Sequence, residues 1–165
     1  VTGTVTRAGR PRAVCPRCDW VDWRNPKAAV AVIVRDARGR LLLARRRGSR
    51  AGSWCIPCGN IEWEEDVREA ARREFLEETG LRVDPGPVYA VLSNAHDPEA
   101  RSVGIWFLGR VTGGEARAGG DVSELGWFDP ANPPAPLAFP TDRVVLGALA
   151  RGEPHVVPGT GSSGD

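Results

Sequence analysis

The sequence predicts an α/β fold in which a β-sheet is covered on both faces, and three observations carry that prediction. Ala28 to Arg35 (AAVAVIVR) is an unbroken run rich in Val and Ala, the pattern of a strand buried on both sides. Glu64 to Thr79 repeats apolar residues at helical spacing, with Val67, Ala70, Ala71, Phe75 and Leu76 on one stripe. Strand-like and helix-like stretches then alternate as far as Arg151, which favours helices layered on either side of a sheet.

In chain order, Val1 to Arg12 mixes Gly, Thr and Arg without periodicity and is expected to be a disordered arm. Asp36 to Arg40 (DARGR) ends the first strand in a turn, and Leu41 to Ala44 returns as a second strand, together a hairpin. A loop rich in Arg, Gly and Ser leads to Trp54 and the first helix. Val88 to Ser93 and Val103 to Val111 read as strands around the polar loop Asn94 to Ser102, and Glu124 to Phe128 as a short strand. Thr141 to Ala150 is a second helix with Thr141 as its cap. Gly152 to Asp165, rich in Gly, Ser and Pro, is expected to be a flexible tail, leaving residues 13–151 as one domain.

The chain has 165 residues, enough to bury a substantial core. Its net charge of +1 gives no support to bulk attraction toward nucleic acid or anionic membrane, although Arg7, Arg10, Arg12 and Arg17 form a small basic patch. No apolar run reaches bilayer length and no leader pattern precedes the domain, so a cytoplasmic location is expected. Four cysteines form two CxxC pairs, which in a reducing compartment point to metal or buried thiols before disulfides.

Chemistry concentrates between Gly59 and Leu81. Glu74 and Glu78 lie one helical turn apart, Glu77 beside them, and Arg73 one turn before Glu77. Like charges at that spacing repel. Clustered carboxylates suit a hard divalent cation with oxygen ligands, Mg²⁺ or Mn²⁺. A solvated helix face with salt bridges is the plainer alternative, but here the acids are gathered between two glycines, Gly59 and Gly80.

The segment resembles the Nudix box, Gly-x5-Glu-x7-Arg-Glu-U-x-Glu-Glu-x-Gly-U with U apolar, and Gly59, Glu65, Arg73, Glu74, Phe75, Glu77, Glu78, Gly80 and Leu81 fill every specified position. The resemblance implies the Nudix fold, a mixed β-sheet sandwiched between helices, spanning about Asn25 to Arg151. It also implies hydrolysis of a nucleoside diphosphate linked to another moiety. Carried over by position, Glu74 and Glu78 are the principal metal ligands, Glu77 is a third ligand or a partner through water, and the backbone carbonyl near Gly59 completes the set. Arg73 orients a neighbouring glutamate and Glu65 contributes through water. Glu74 is the first choice of general base, with Glu77 and the later acids Glu115, Asp121 and Glu124 as alternatives.

Phosphate and base must be held too. Among Arg45, Arg46 and Arg47 one guanidinium, with Arg46 the choice, suits a phosphate. Six tryptophans stand against one tyrosine, and Trp20, Trp23, Trp63 and Trp106 are candidates to stack on a nucleobase, Trp63 first; core packing is the alternative for each. His96, in the loop between two strands, is a candidate for substrate contact or acid–base work, against an ordinary surface histidine. Pro98 lies near a position where, in some relatives, proline accompanies ADP-ribose. The SQPWPFPxS signature of NADH pyrophosphatases is absent.

Cys15, Cys18, Cys55 and Cys58 have the spacing of a structural Cys₄ zinc site, with unliganded thiols or a redox-sensitive pair as alternatives. The expected activity is Mg²⁺-dependent cleavage of the diphosphate of ADP-ribose or a nucleotide sugar, then of a modified nucleoside triphosphate. The competing class is a non-catalytic nucleotide sensor or a zinc-dependent interaction module; the expected partner is a nucleotide substrate, with a homodimer left open.

Overall fold

The computed structural model describes residues 3–97 and 101–156. The expected disordered arm is corrected by an antiparallel sheet of β1 (Gly3–Arg7), β2 (Arg10–Val14) and β3 (Val21–Asp22). Ala8 and Gly9 take φ of 48° and 72°, closing a two-residue turn whose backbone twist matches the paired strands. The ladder runs from Arg7 opposite Arg10 to Gly3 opposite Val14, so backbone pairing, which needs no apolar periodicity, orders this segment.

Strand β4 (Lys27–Val34) and strand β5 (Leu41–Arg46) are joined by the expected turn, in which the Asp36 carboxylate accepts the N–H groups of Arg38 and Arg40, both at 2.9 Å. They do not form a hairpin, and only an isolated bridge, Arg35 to Leu41, links them. Each strand is central to a different sheet. Strand β5 lies between β6 (Trp54–Cys55) and β10 (Val122–Phe128), while β4 lies between β7 (Cys58–Asn60) and β9 (Ser102–Gly114), with β8 (Leu81–Asn94) at the far edge. Both strands are apolar on both faces and therefore take central places, and the neighbours that fill the ladders come from distant sequence. The β4–β9 pairing is parallel and the others are antiparallel, which makes the sheet mixed.

Helix α1 (Val67–Thr79) starts later than the periodicity suggests because Asp66 caps it, its carboxylate accepting the Arg68 N–H at 2.8 Å. Gly80 ends it at φ 71°, its N–H returning to the Leu76 carbonyl. The buried stripe is Ala70, Ala71, Phe75, Glu78 and Thr79; Leu76 is exposed instead. Helix α2 (Pro140–Ala150) has Phe139 rather than Thr141 at the cap position. Thr141 lies inside the first turn, where its hydroxyl donates to Asn94 Oδ1 at 2.5 Å.

The alternation of β4 assigns its side chains to two cores. Val30, Val32 and Val34 pack with Phe75 and Phe107 under α1, while Ala31 and Ile33 pack with Trp106, Val145, Leu146 and Leu149 under α2. The sheet is thus covered by one helix on each face. Residues at the start of the expected tail dock rather than trail: the Tyr89 hydroxyl donates to the Glu153 carbonyl at 3.0 Å and the Val156 N–H to the Tyr89 carbonyl at 2.9 Å. Residues 157–165 lie outside the described residues. Among the described residues no helix is long and apolar enough to cross a membrane.

Candidate active site

The site begins where α1 meets β7. Gly59 stands opposite Val30 in the β4–β7 ladder, and the Glu74 carboxylate occupies the space above it. A Cβ at position 59 would fall 1.9 Å from Glu74 Cδ, so glycine is required there by volume. One turn on, Glu78 accepts the Cys58 N–H at 2.8 Å and is only 3% exposed. Burial pushes its carboxyl up to about 9, with the negative charge of Cys55 adding to the effect and the Cys58 N–H opposing it. An acid so placed gains most as an anion when a cation joins it.

Arg73 straps this pair to the entry loop. Its Nε and Nη2 donate to the two oxygens of Glu65 at 2.8 and 2.7 Å, a forked pair, and its Nη1 donates to Glu74 Oε1 at 2.8 Å. Nη2 also reaches the Asn60 carbonyl at 3.1 Å. The hydrogen bonds that Arg73 donates lower the Glu65 pKa, and the acceptance of them by Glu65 and Glu74 raises that of Arg73. Glu77, half-exposed, lies 3.6 Å from the same guanidinium. One arginine therefore fixes the loop and aims Glu74.

A cavity of about 290 Å³ opens beside Gly59, walled in part by Arg46, Arg50, His96, Trp106, Phe139 and Asp142. Arg46 donates to Asp121 Oδ2 at 2.7 Å and to the Ser49 carbonyl at 3.1 Å, and its guanidinium stands 5.5 Å from the Phe139 ring centre. Arg50 approaches that ring at 5.4 Å, and the His96 ring lies 6.0 Å from it. Phe139 is thus an aromatic wall edged by positive charge. Asp142 is buried, and desolvation raises its carboxyl well above the usual carboxylate range.

The structure sets Glu74 over Gly59 and Glu78 on the neighbouring Cys58 N–H, and links Glu65, Glu74 and Glu77 through Arg73, with Arg46 and His96 on the adjoining cavity. It does not bring in Trp63, which is 97% exposed and outside the cavity wall, nor Trp20 and Trp23, exposed on the N-terminal segment. Trp106 is buried yet lines the cavity. Of the later acids, Asp121 sits on Arg46 and its charge helps raise Glu78, whereas Glu124 pairs with Arg45 at 3.2 Å. The Glu115 carbonyl packs against Gly80. Pro98 lies outside the described residues.

The Cys₄ expectation is corrected. Among the described residues no group of three or more His, Cys, Asp or Glu side chains is gathered for a metal, so the two cysteine pairs form no joint cluster. Cys15 and Cys18 face each other across a turn after β2, closed by the Asp19 N–H to the Cys15 carbonyl at 2.9 Å. Cys55 and Cys58 share a hydrogen bond that lowers the Cys55 thiol and raises that of Cys58, and Cys55 is held by β5 through the Ala44 carbonyl at 3.7 Å. Cys15 and Cys18 sit in the turn after β2, whereas Cys55 ends β6 and Cys58 opens β7 in the two sheets of the main body, so the pairs stay apart despite a linker with ample reach.

Phe139, Arg50 and Asp142 were not legible as site residues. One signal did exist for Asp142: it occupies a position on the buried stripe of α2, three, four and seven residues before Val145, Leu146 and Leu149. A carboxylate on an apolar stripe marks a polar group placed for something other than packing.

Carboxylates seated on a glycine strand beside arginines and an aromatic wall are what a hydrolase of phosphate anhydrides needs. The model of the NUDIX domain matches residues 25–148, and the chain belongs to the Nudix family of hydrolases. It is 35% identical over 122 residues to an ADP-ribose pyrophosphatase of Methanocaldococcus jannaschii, covering 73% of this chain and 72% of that protein. It is 34% identical over 117 residues to the NAD-capped RNA hydrolase NudC of Chromobacterium violaceum, covering 70% of this chain but 42% of that longer protein. Among solved structures, a Nudix hydrolase from Nitrosomonas europaea superposes with a TM-score of 0.78 at 26% identity, over 94% of this chain and 91% of that one.

Proposed function

We propose that this protein is a magnesium- or manganese-dependent pyrophosphohydrolase that cleaves the diphosphate linkage of a nucleoside diphosphate derivative, with ADP-ribose or a nucleotide sugar as first choice. One observation carries the proposal: Glu74 and Glu78 converge on the Gly59 strand directly beside a cavity walled by Arg46, Arg50 and Phe139. The archaeal ADP-ribose pyrophosphatase relative supports the choice of substrate.

The donors fit the group. Glu74, Glu77, Glu78 and the Gly59 carbonyl offer hard oxygen ligands, and the buried Glu78 lacks a cationic hydrogen-bond partner among the described residues. When bound, the cation supplies neutralisation of charge on the phosphoryl oxygens and favours attack by water. Arg73 and Glu65 hold Glu74 in position, and Glu74 takes the proton from the attacking water. Arg46 draws the phosphates toward the glutamates, and Phe139 and His96 border the nucleoside.

Hydrolysis of a panel of nucleoside diphosphate derivatives with Mg²⁺, followed by phosphate-containing products, tests the proposal. Glu78→Gln keeps shape and removes ligand charge, so kcat should fall more than about 100-fold, beyond the usual loss for a partner one step removed from a metal. Normal turnover in that variant would reject the metal assignment.

A further inference from the structure

The Cys55–Cys58 pair is a motif for which neither the fold nor the proposed hydrolysis accounts. Cys55 is buried at the end of β6, opposite Ala44 on β5, and Cys58 opens β7, opposite Ala31 on β4. Ile56 and Pro57 between them are buried, and the Pro57 carbonyl accepts the Val32 N–H at 3.1 Å. The turn is therefore pinned with its two sulfurs in hydrogen-bonding contact.

Thiols that only fill space in a core are closed off and inert. This pair differs on both counts. Cys58 is part-buried and lines the cavity, so a small solute entering there meets its sulfur. The Arg46 guanidinium, on the same cavity wall, acts electrostatically on both sulfurs and donates a hydrogen bond to that of Cys55. A fixed cation beside a sulfur supports the negative charge it carries as a nucleophile.

Cys58 also carries the seat of the glutamates. Its N–H holds the Glu78 carboxylate at 2.8 Å, and Gly59, next in the chain, lies beneath Glu74 with no room for a Cβ. A covalent bond to Cys55 draws Cys58 toward β6, which belongs to the other sheet, and shifts both contacts. Disturbing a group one step behind a metal ligand changes metal affinity roughly 10- to 100-fold.

We propose that Cys55 and Cys58 form a peroxide-sensitive thiol pair whose disulfide loosens the cation seat built from Glu74 and Glu78. The regulatory consequence rests on the metal reading proposed above. The Cys58 sulfur attacks hydrogen peroxide and breaks its O–O bond, giving a sulfenic acid and releasing one water. The Cys55 sulfur then attacks the oxidised sulfur, and the hydroxyl leaves with the Cys55 thiol proton as a second water. The two sulfurs together lose two electrons, and both peroxide oxygens are reduced to water. A dithiol reverses the change by exchange, closing its own disulfide and returning both hydrogens to the protein.

Treating the full reduced chain with hydrogen peroxide, mapping cross-links by mass spectrometry and titrating Mn²⁺ before and after tests the proposal. A Cys55–Cys58 disulfide should form, Mn²⁺ affinity should fall at least about tenfold, and dithiothreitol should restore it. In Cys55→Ser, which leaves Cys58 and the glutamates in place, no such cross-link should form, and dimedone should label the sulfenic acid stranded at Cys58. Cys55→Ala repeats that arm where thermal unfolding shows the serine variant to be unfolded. Cys55 and Cys58 still free after Cys15 and Cys18 have been oxidised overturns the proposal, and so does cross-linked protein with unchanged Mn²⁺ affinity. Reduced protein that binds no Mn²⁺ overturns it together with the metal assignment. Affinity lost on cross-linking, in a protein that hydrolyses no diphosphate derivative, supports the switch and rejects the catalytic proposal. Equal hydrolysis by reduced and cross-linked protein rejects the switch and leaves the catalytic proposal standing.

Discussion

At Arg73 the forked hydrogen bonding to Glu65 and Glu74 makes lysine a poor replacement, since an ammonium cannot hold both carboxylates in one plane. Arg73→Lys should lower kcat roughly 10- to 100-fold while moving Tm little, because part-exposed ion pairs contribute modestly to stability. Steady-state kinetics with a melting curve separates the two effects, and an unaltered kcat would count against Arg73 as a positioning residue. Gly59→Ala tests the seat of Glu74 directly. The added methyl would collide with the carboxylate, so activity should collapse while the β4–β7 ladder remains, as followed by circular dichroism. The box residues were legible because their spacing is local, set by one helix and its two flanking glycines. Asp142, Phe139 and Arg50 were not, since they reach the cavity only after β4, β9 and α2 are packed together.

At the level of elements, α1 carries both stability and chemistry. Phe75 is buried under it against Val30, Val32 and Phe107, and Phe75→Ala should cost about 3–5 kcal/mol in urea denaturation, the range for emptying an aromatic core site. Gly80 combines a left-handed φ of 71° with the Glu115 carbonyl 2.5 Å from where a Cβ would sit. Gly80→Ala should therefore destabilise by roughly 1–3 kcal/mol, measured in the same way. Helical spacing alone puts Leu76 on the buried stripe of α1, but it is exposed. The structure places Glu78 there because the turn that faces β7 also faces the core, and the carboxylate is accommodated by the Cys58 N–H. Likewise the apolar runs at β4 and β5 were evident, but their separation into two sheets was not, since ladder partners are set by pairing across distant sequence.

For the whole molecule, buried acids couple stability to pH. The folded pKa of Glu78, about 9, lies above the ordinary carboxyl value, so the folded state binds a proton that the unfolded chain has released. The contribution is fully present below the unfolded pKa and is lost as pH rises toward about 9; Asp142, also raised, acts in the same sense. Metal-free protein should show a Tm that falls between about pH 5 and about pH 9, and Mg²⁺ should reduce the fall by compensating the Glu78 charge. Calorimetry with and without a chelator measures this, and a metal-free Tm that climbs with pH would contradict the burial of these acids. The sequence by itself determined the α/β class, the two covering helices and the acidic turn, because periodicity and spacing within one segment express them. The tertiary structure decided what lies next to that turn. It separated the cysteine pairs, left Trp63 in solvent, and brought Trp106 and Asp142 to the cavity from β9 and α2, because proximity across strands and layers depends on register and packing that no single segment encodes.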